Sequence, residues 1–282
     1  FVILRMEEPP AMMIPTPPTT PPLLPVTLIS GFLGAGKSTL LRNILEAKHH
    51  SNQKFRCAVL VNDMAELNID QALIETTGLV ASDEVISMQN GCVCCNLAGD
   101  MIDQIIKLTQ QTDTPPFDYL IIEASGVSEP AAICSLFHTE THNHDHQHHD
   151  ESTATNTSLG EVAQMDTIVT VVDCSDFLEN LEKMEDPNRK DYPRLLVEQV
   201  EYSNVVLLNK TDLVSPRQLQ DVKDKVVLLT NGFGKIMECE NAQVEVDAVV
   251  QTGLYDAHDF DLSKFVTEHF AVENDGDKKP QK

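Results

Sequence analysis

Residues 31–38 have the sequence Gly-Phe-Leu-Gly-Ala-Gly-Lys-Ser, which restricts the fold more than any other part of the chain. The residues before them, 26–30, predict a strand, and residues 39–47 predict a helix. A glycine-rich turn between a strand and a helix lets successive N–H groups point into one hollow, where the helix start adds partial positive charge. The spacing G-x-x-x-x-G-K-[ST] in this context is typical of a site for nucleotide phosphates.

This turn, called the phosphate turn (residues 31–38) from here on, supplies most of the predicted ligand contacts. We expect Lys37 to reach the β and γ phosphates and to act in catalysis, and Ser38 to ligate Mg²⁺. The complete set of nucleotide contacts predicted around it is Gly31, Gly34, Ala35, Gly36, Lys37, Ser38 and Thr39.

Further short apolar runs predict the rest of the fold. Residues 58–62, 119–122, 167–172 and 204–208 are nearly continuously apolar, as strands buried on both faces are. Helical patterns between them, such as the apolar stripe in residues 97–108, favour right-handed crossovers. The predicted fold class is α/β, a three-layer domain with a mostly parallel sheet flanked by helices.

A second motif, Asn209-Lys210-Thr211-Asp212, follows a predicted strand and indicates the base. A carboxylate at Asp212 can accept hydrogen bonds from the ring N–H and the exocyclic amine of guanine, whereas adenine offers no such pair of donors. We expect Asn209 to order the loop beside the guanine edge and the stem of Lys210 to cover the ring. The predicted ligands are therefore GTP and GDP.

The run Leu120-Ile-Ile-Glu123-Ala-Ser-Gly126 is a third element expected on the phosphate side. It is an apolar strand that ends in a carboxylate. We predict that Glu123 holds Mg²⁺ through water and contributes to catalysis, and that the Gly126 N–H approaches the γ phosphate.

The charge of the chain excludes other ligands. Its 282 residues include 44 acidic and 20 basic side chains, and the formal net charge is -24. A field of that sign repels phosphate backbones and anionic lipid headgroups, so we expect neither nucleic-acid nor membrane binding. Seven cysteines, an odd number in a chain long enough to need no disulfides, indicate a reducing compartment. We predict a cytoplasmic location.

Cys92, Cys94 and Cys95 lie within four residues, after a short predicted strand at residues 85–88. A loop wrapped around an ion could bring these thiolates together, and sulfur ligands suit Zn²⁺ or another thiophilic metal. A redox pair or simple burial are the alternatives. The remaining cysteines are predicted to be core residues, and they are Cys57, Cys134, Cys174 and Cys239.

The composition predicts a domain at residues 26–254 between less regular segments. A proline-rich leader covers residues 1–25, and an acidic, flexible tail covers residues 255–282. A His-rich insertion, about residues 138–163, is too polar to bury a core and is predicted to be disordered. Its histidines could store metal, or their metal binding could be incidental.

Taken together, these motifs resemble the CobW family of P-loop GTPases, which are regarded as metallochaperones, and its zinc-associated branch in particular. The residues that carry the resemblance are 31–38, 62–70, 91–95, 123–126 and 209–212. The resemblance implies a zinc ligand at Glu66 and a client metalloenzyme as partner, with a nucleotide-dependent dimer as one assembly. Asp63 is the candidate for positioning the attacking water. Family members usually carry a further C-terminal domain, for which this chain is too short.

The leading hypothesis is a GTP-hydrolysing metallochaperone in which nucleotide state alters the thiolate site, with slow intrinsic turnover. Zinc is the expected cargo, and cobalt or nickel insertion is an alternative. A metal buffer without GTP-driven transfer is the second hypothesis. A third is a P-loop kinase or ATPase with redox-sensing cysteines, against which Asn209 and Asp212 argue.

Overall fold

The computed structural model describes residues 23–50, 57–61, 85–87, 118–137, 159–182 and 191–256. Within these ranges the chain forms seven strands that pair into one sheet. The strands are β1 Leu24–Ser30, β2 Cys57–Val61, β3 Val85–Ser87, β4 Tyr119–Glu123, β5 Ala163–Asp173, β6 Val205–Asn209 and β7 Lys235–Glu238.

Five α-helices lie in the same described ranges. They are α1 Lys37–His50, α2 Pro130–Ser135, α3 Phe177–Glu182, α4 Asp191–Glu201 and α5 Pro216–Leu229. Short 3-10 turns occur at Leu159–Glu161, Thr211–Leu213 and Val246–Ala248. The start of α5 carries a capping box, in which Ser215 and Gln218 satisfy each other's backbone N–H groups. No helix in the described part of the chain combines the length and apolar character needed to cross a bilayer.

The sheet has the order β3-β2-β4-β1-β5-β6-β7, and every pairing is parallel. Strand β1 therefore lies in the middle, between β4 and β5. The connection from β1 leads to β2 on one side, whereas the connection from the adjacent strand β4 leads to β5 on the other side. The carboxyl ends of β1 and β4 therefore form a topological switch point. Ligands of open α/β sheets bind in the crevice at such a point, and the phosphate turn lies there.

Both faces of the sheet are buried, which explains the nearly continuous apolar runs in the sequence. Alternate residues of β5 point to opposite faces: Val169 and Val171 pack with α1, whereas Val172 packs with α3, α4 and α5. On the same face as Val172, β1 and β4 pack against α2. The result is helix, sheet and helix layers, so the predicted three-layer α/β fold class is confirmed.

Strand β5 begins at Ala163, before the predicted residues 167–172. The sequence did not predict its first residues as strand because they are not continuously apolar. Gln164 is exposed and Asp166 is half-buried between buried neighbours. The register with β1 also shifts here, since Val26 pairs with Met165 and Thr27 pairs with Thr167. Asp166 is the extra residue of this bulge, and bulges re-aim side chains.

The predicted domain organisation stays a prediction, because most of the leader, insertion and tail lie outside the described residues. Strand β1 begins at Leu24, inside the predicted leader. The turn Leu159–Glu161 falls inside the predicted insertion, and Leu159 is buried.

Candidate nucleotide-binding site

The phosphate turn connects β1 to α1 at the middle of the sheet, and its glycines are required by close contacts. Gly31 has a φ of +133°, and a Cβ there would collide with the carbonyl oxygen of Val171. Gly36 has a φ of +114°, and a Cβ there would lie 2.5 Å from Nδ2 of Asn209. Both positions therefore combine a backbone conformation that favours glycine with a lack of room for any side chain.

The other residues of the turn have different surroundings. Gly34 has a φ of +73° at the exposed tip, and Ala35 is completely buried. Lys37 is the first residue of α1 and is 3% exposed; its Nζ donates a 3.0 Å hydrogen bond to the carbonyl oxygen of Phe32. Thr39 lies half-buried in the first turn of α1. The N–H groups at the start of α1 and the Lys37 ammonium give this acidic protein a local site for anions.

Glu123, the last residue of β4, contacts Ser38. Ser38 Oγ donates a 2.6 Å hydrogen bond to Glu123 Oε1, and the Glu123 side chain is 4% exposed. A hydroxyl and a carboxylate oxygen in contact beside the phosphate turn fit Mg²⁺, which takes one or two protein oxygens and completes its shell with water and phosphate. These two residues would hold the ion.

Gly126 lies in the 124–129 loop, which connects β4 to α2 and contacts the tip of the phosphate turn. A Cβ at Gly126 would lie 2.6 Å from the backbone nitrogen of Leu33. Ala124 N donates a 2.9 Å hydrogen bond to the carbonyl oxygen of Ile29 and so extends the pairing of β4 with β1. The loop is therefore held against the phosphate turn from its first residue.

Asn209 ends β6 and connects two loops through its side chain. Its Nδ2 donates a 2.8 Å hydrogen bond to the carbonyl oxygen of Ala35, and its Oδ1 accepts a 2.8 Å hydrogen bond from the N–H of Ala242. The Sγ of Cys239 also lies 3.7 Å from Oδ1. Asn209 is 2% exposed. The side chain thus ties the phosphate turn to the segment after β7.

Lys210 and Asp212 follow at the same edge of the sheet. Lys210 has a left-handed backbone with a φ of 62°, and its Nζ forms an ion pair with Asp173 at the end of β5. Asp212 lies exposed in the turn Thr211–Leu213. Asp212, whose carboxylate is expected to bind a base, therefore follows two residues whose side chains are fixed by buried or ionic contacts, Asn209 and Lys210.

The remaining predicted site residues lie outside the described residues. They are Asp63, Glu66, Cys92, Cys94 and Cys95. Among the residues that are described, no group of three or more His, Cys, Asp or Glu side chains has the arrangement of a metal site. The thiolate site therefore stays a prediction.

The four cysteines predicted to be core residues are all buried, and that prediction is confirmed. Burial raises the pKa of the Cys239 thiol to about 11 and, with nearby negative charge, that of Cys174 to about 12. It also raises the pKa of Cys134. Because the thiolate is the form that binds metal and reacts with oxidants, these three side chains are unsuited to either role near neutral pH.

Sequence reasoning did not find the segment 239–242 or the ion pair of Lys210. Ala242 contacts Asn209 across 33 residues of chain, and Asp173 contacts Lys210 across 37. The carboxylate at the end of a predicted strand was a usable signal for Asp173. No local pattern in the sequence marks Ala242, since its contribution is a backbone N–H.

A central phosphate turn on a parallel sheet, with an acidic residue on the adjacent strand and an asparagine bridging to the turn, defines a P-loop nucleotide-binding protein. The sequence matches the family described as CobW/HypB/UreG, nucleotide-binding domain, over residues 25–237. The chain belongs to that family, which confirms the predicted resemblance.

Curated relatives agree with this assignment. The chain is 37% identical over 252 residues to the zinc-regulated GTPase metalloprotein activator 1 of Dictyostelium discoideum, covering 83% of this chain and 49% of that protein. It is 29% identical over 261 residues to the zinc chaperone CobW of Sinorhizobium sp., covering 87% of this chain and 67% of that protein. The similar activator of Schizosaccharomyces pombe is 30% identical over 217 residues, 76% of this chain and 45% of that protein. The chain thus spans about half the length of the two activators.

Proposed function

We propose that this chain binds guanine nucleotide with Mg²⁺, hydrolyses GTP and uses its nucleotide state to control a zinc ion destined for a client metalloenzyme. The contact that carries the nucleotide part is the one between Asn209 and Ala35, because it fixes the Asn-Lys-Thr-Asp loop at the phosphate turn. With the loop held there, one nucleotide can contact the Asn-Lys-Thr-Asp loop with its base and the phosphate turn with its phosphates. The proposed location is a reducing compartment, the cytoplasm.

The described residues divide the chemistry among them. Backbone N–H groups of the phosphate turn bind and orient the phosphates, and Lys37 neutralises charge that develops on the transferred group. Ser38, directly, and Glu123, through water, would hold Mg²⁺, and the ion when bound would supply charge stabilisation to the phosphate oxygens. Asp63 is the proposed water-positioning residue. Turnover without a partner is expected to be slow, on the order of 10⁻⁴ to 10⁻² s⁻¹.

The zinc part of the proposal has two supports. Relatives that align with most of this chain bear names that refer to zinc. Three thiols at Cys92, Cys94 and Cys95 offer ligands that zinc prefers, and Glu66 could add an oxygen. In a site of three thiolates, an oxygen ligand in the fourth position can be replaced by a ligand of a partner protein, which suits delivery rather than storage.

Base specificity tests the nucleotide part. The wild-type chain should bind GDP at least about a hundredfold more tightly than ADP in calorimetric titrations, since Asp212 finds two donors on guanine and none on adenine. The variant Asp212→Asn should lose affinity for GDP and gain affinity for xanthosine diphosphate, because xanthine presents a carbonyl where guanine presents an amine. Equal binding of GDP and ADP by the wild type would contradict the proposal.

Linkage tests the zinc part. If nucleotide state changes zinc affinity by some factor, zinc must change nucleotide affinity by the same factor. We expect different zinc affinities with GDP and with a non-hydrolysable GTP analogue, and loss of zinc in each of Cys92→Ala, Cys94→Ala and Cys95→Ala. The control is Cys174→Ala, which removes a buried thiol far from that loop in sequence. Zinc affinity that is the same with both nucleotides would favour a metal buffer instead.

A further inference from the structure

Gln199 of α4 contacts the 124–129 loop in a way that the proposed function does not use. Its side chain is 1% exposed, and Nε2 lies 3.3 Å from the carbonyl oxygen of Gly126 and 3.2 Å from that of Ser128. One amide group therefore donates to two carbonyl oxygens of the loop, those of Gly126 and Ser128. Within the described residues, Oε1 of Gln199 has no hydrogen-bond partner, so the side chain holds the loop through its donor group.

The position of Gln199 itself is fixed by its backbone. Its carbonyl oxygen accepts hydrogen bonds from Thr170 Oγ1 at 2.6 Å and from Ser203 Oγ at 2.7 Å. Thr170 belongs to β5, which pairs with the central strand β1. Gln199 is thus a rigid support on one side of the loop, and the tip of the phosphate turn, at Leu33, lies on the other side of Gly126.

Gly126 is the residue of this loop whose N–H is predicted to approach the γ phosphate. A shift of the loop toward that phosphate would move the whole of Gly126, its carbonyl oxygen included. Gln199 holds that carbonyl oxygen and would resist such a shift.

We infer that Gln199 is a positioning residue that restrains the 124–129 loop and so weakens the response of the protein to the γ phosphate. GDP lacks that phosphate and binds without a shift of the 124–129 loop. GTP binds with a shift of the loop, which breaks the Gln199 contacts. A ligand shifts an equilibrium only by its difference in affinity for the two states, so the restraint lowers affinity for GTP and leaves affinity for GDP unchanged. The inference rests on the proposed guanine-nucleotide site.

The variant Gln199→Met tests this, because methionine fills a similar volume and has no N–H to donate. Dissociation constants for GDP and for a non-hydrolysable GTP analogue are measured with Mg²⁺ in the full chain. The ratio of the GDP constant to the analogue constant should rise about fivefold or more, a typical size for coupled sites. The GDP constant itself should change less than about twofold, which distinguishes release of the loop from general damage.

The matched control is Thr170→Val, which removes the hydrogen bond to the Gln199 backbone and leaves the side-chain amide in place. It should leave the ratio as in the wild type. If Gln199→Met does not fold, Gln199→Asn is used instead. Its side chain is one methylene shorter, so its amide lies farther from the loop carbonyls, and the same rise in the ratio is expected. An unchanged or lower ratio in a folded variant would overturn the inference alone. A wild-type chain that binds neither nucleotide would overturn the proposed function, and the inference with it.

Discussion

The side-chain nitrogen of Asn209 lies 2.8 Å from the carbonyl oxygen of Ala35, so the last residue of β6 fixes the middle of the phosphate turn. Its oxygen accepts from Ala242 at the same distance. Three segments far apart in sequence therefore share one buried amide, and a change at any of them should affect nucleotide binding.

We expect Asn209→Ala to lower the free energy of unfolding by about 2 kcal/mol, since it leaves a buried carbonyl and a buried N–H without their partner. Affinity for GDP should fall at least about tenfold because the phosphate turn loses its support. Urea denaturation and calorimetric titration measure the two effects.

Asn43→Ala provides the control for this variant. Asn43 of α1 donates to the carbonyls of Asn241 and Ala242, on the same segment. In the described part of the chain, neither of these hydrogen bonds involves the phosphate turn. The substitution should cost some stability and change GDP affinity less than about twofold. A comparable loss of affinity in both variants would indicate that the segment after β7, and not the bond to Ala35, supports the site.

Gly36→Ala should abolish measurable nucleotide binding. The added methyl group would lie 2.5 Å from Asn209 Nδ2, and the φ of +114° strains any residue other than glycine. Backbone strain alone costs about 1–3 kcal/mol, and the collision pushes Asn209 out of its hydrogen bonds. Binding of a fluorescent GDP, followed together with thermal unfolding, measures the outcome.

Gly232→Ala separates strain from collision. Gly232 has a φ of +77°, and a Cβ there would meet no atom within 4 Å. This variant should lose about 1 kcal/mol of stability and keep its GDP affinity. If Gly36→Ala and Gly232→Ala bound GDP equally well, the Asn209 side chain could move away from the added methyl group without weakening nucleotide binding.

The sequence predicted six of the seven described strands, all but β7, and the position of the phosphate turn between a strand and a helix, because these features depend on local patterns. Buried strands need apolar runs, and the phosphate turn needs glycines at fixed spacing before a helix. The contacts of Gln199 and Ala242 depend on how separate elements pack, and Gln199 looks like any polar residue of an amphipathic helix. Asp166 was missed for a related reason, since a bulge leaves no mark in a two-residue alternation.

A polar network at the amino end of the sheet, opposite the phosphate turn, gives a prediction about stability. Oδ2 of Asp166 accepts hydrogen bonds from Tyr119, Thr167 and the N–H of Thr252, at 2.8, 2.6 and 3.0 Å, and Oδ1 accepts from the N–H of Gly253 at 3.0 Å. The carboxylate therefore fastens the segment after Val246–Ala248 to the sheet.

Asp166→Asn should lower the free energy of unfolding by about 2 kcal/mol, because an amide places N–H groups where the network supplies only donors. The exposed Asp221→Asn is the matched control and should change it by less than about 0.5 kcal/mol. Urea denaturation compares the two. GDP affinity should stay near the wild-type value in both, since the network is at the far end of the strands.

The same network makes stability depend on pH above the neutral range. Burial raises the pKa of Tyr119 above its ordinary value, and the neighbouring Asp166 adds to the shift, while hydrogen bonds from Thr27 and Gln251 partly oppose it. In the unfolded chain the phenol ionises near pH 10, but in the folded chain it keeps its proton. Between these two pKa values the unfolded state binds fewer protons, so stability must fall as pH rises above about 10.

Tyr119→Phe removes the ionisable group together with its hydrogen bonds. The variant should be less stable than the wild type at pH 8, yet its free energy of unfolding should fall less steeply between about pH 10 and 11.5. Urea denaturation at several pH values measures both slopes, and Tyr202→Phe, at a half-buried tyrosine, is the control. Other groups whose pKa is raised by burial, including Cys174 and Cys239, contribute equally to all three proteins. Parallel slopes in the wild type and Tyr119→Phe would mean that the folded chain tolerates the tyrosinate, and that burial at the start of β4 does not control its ionisation.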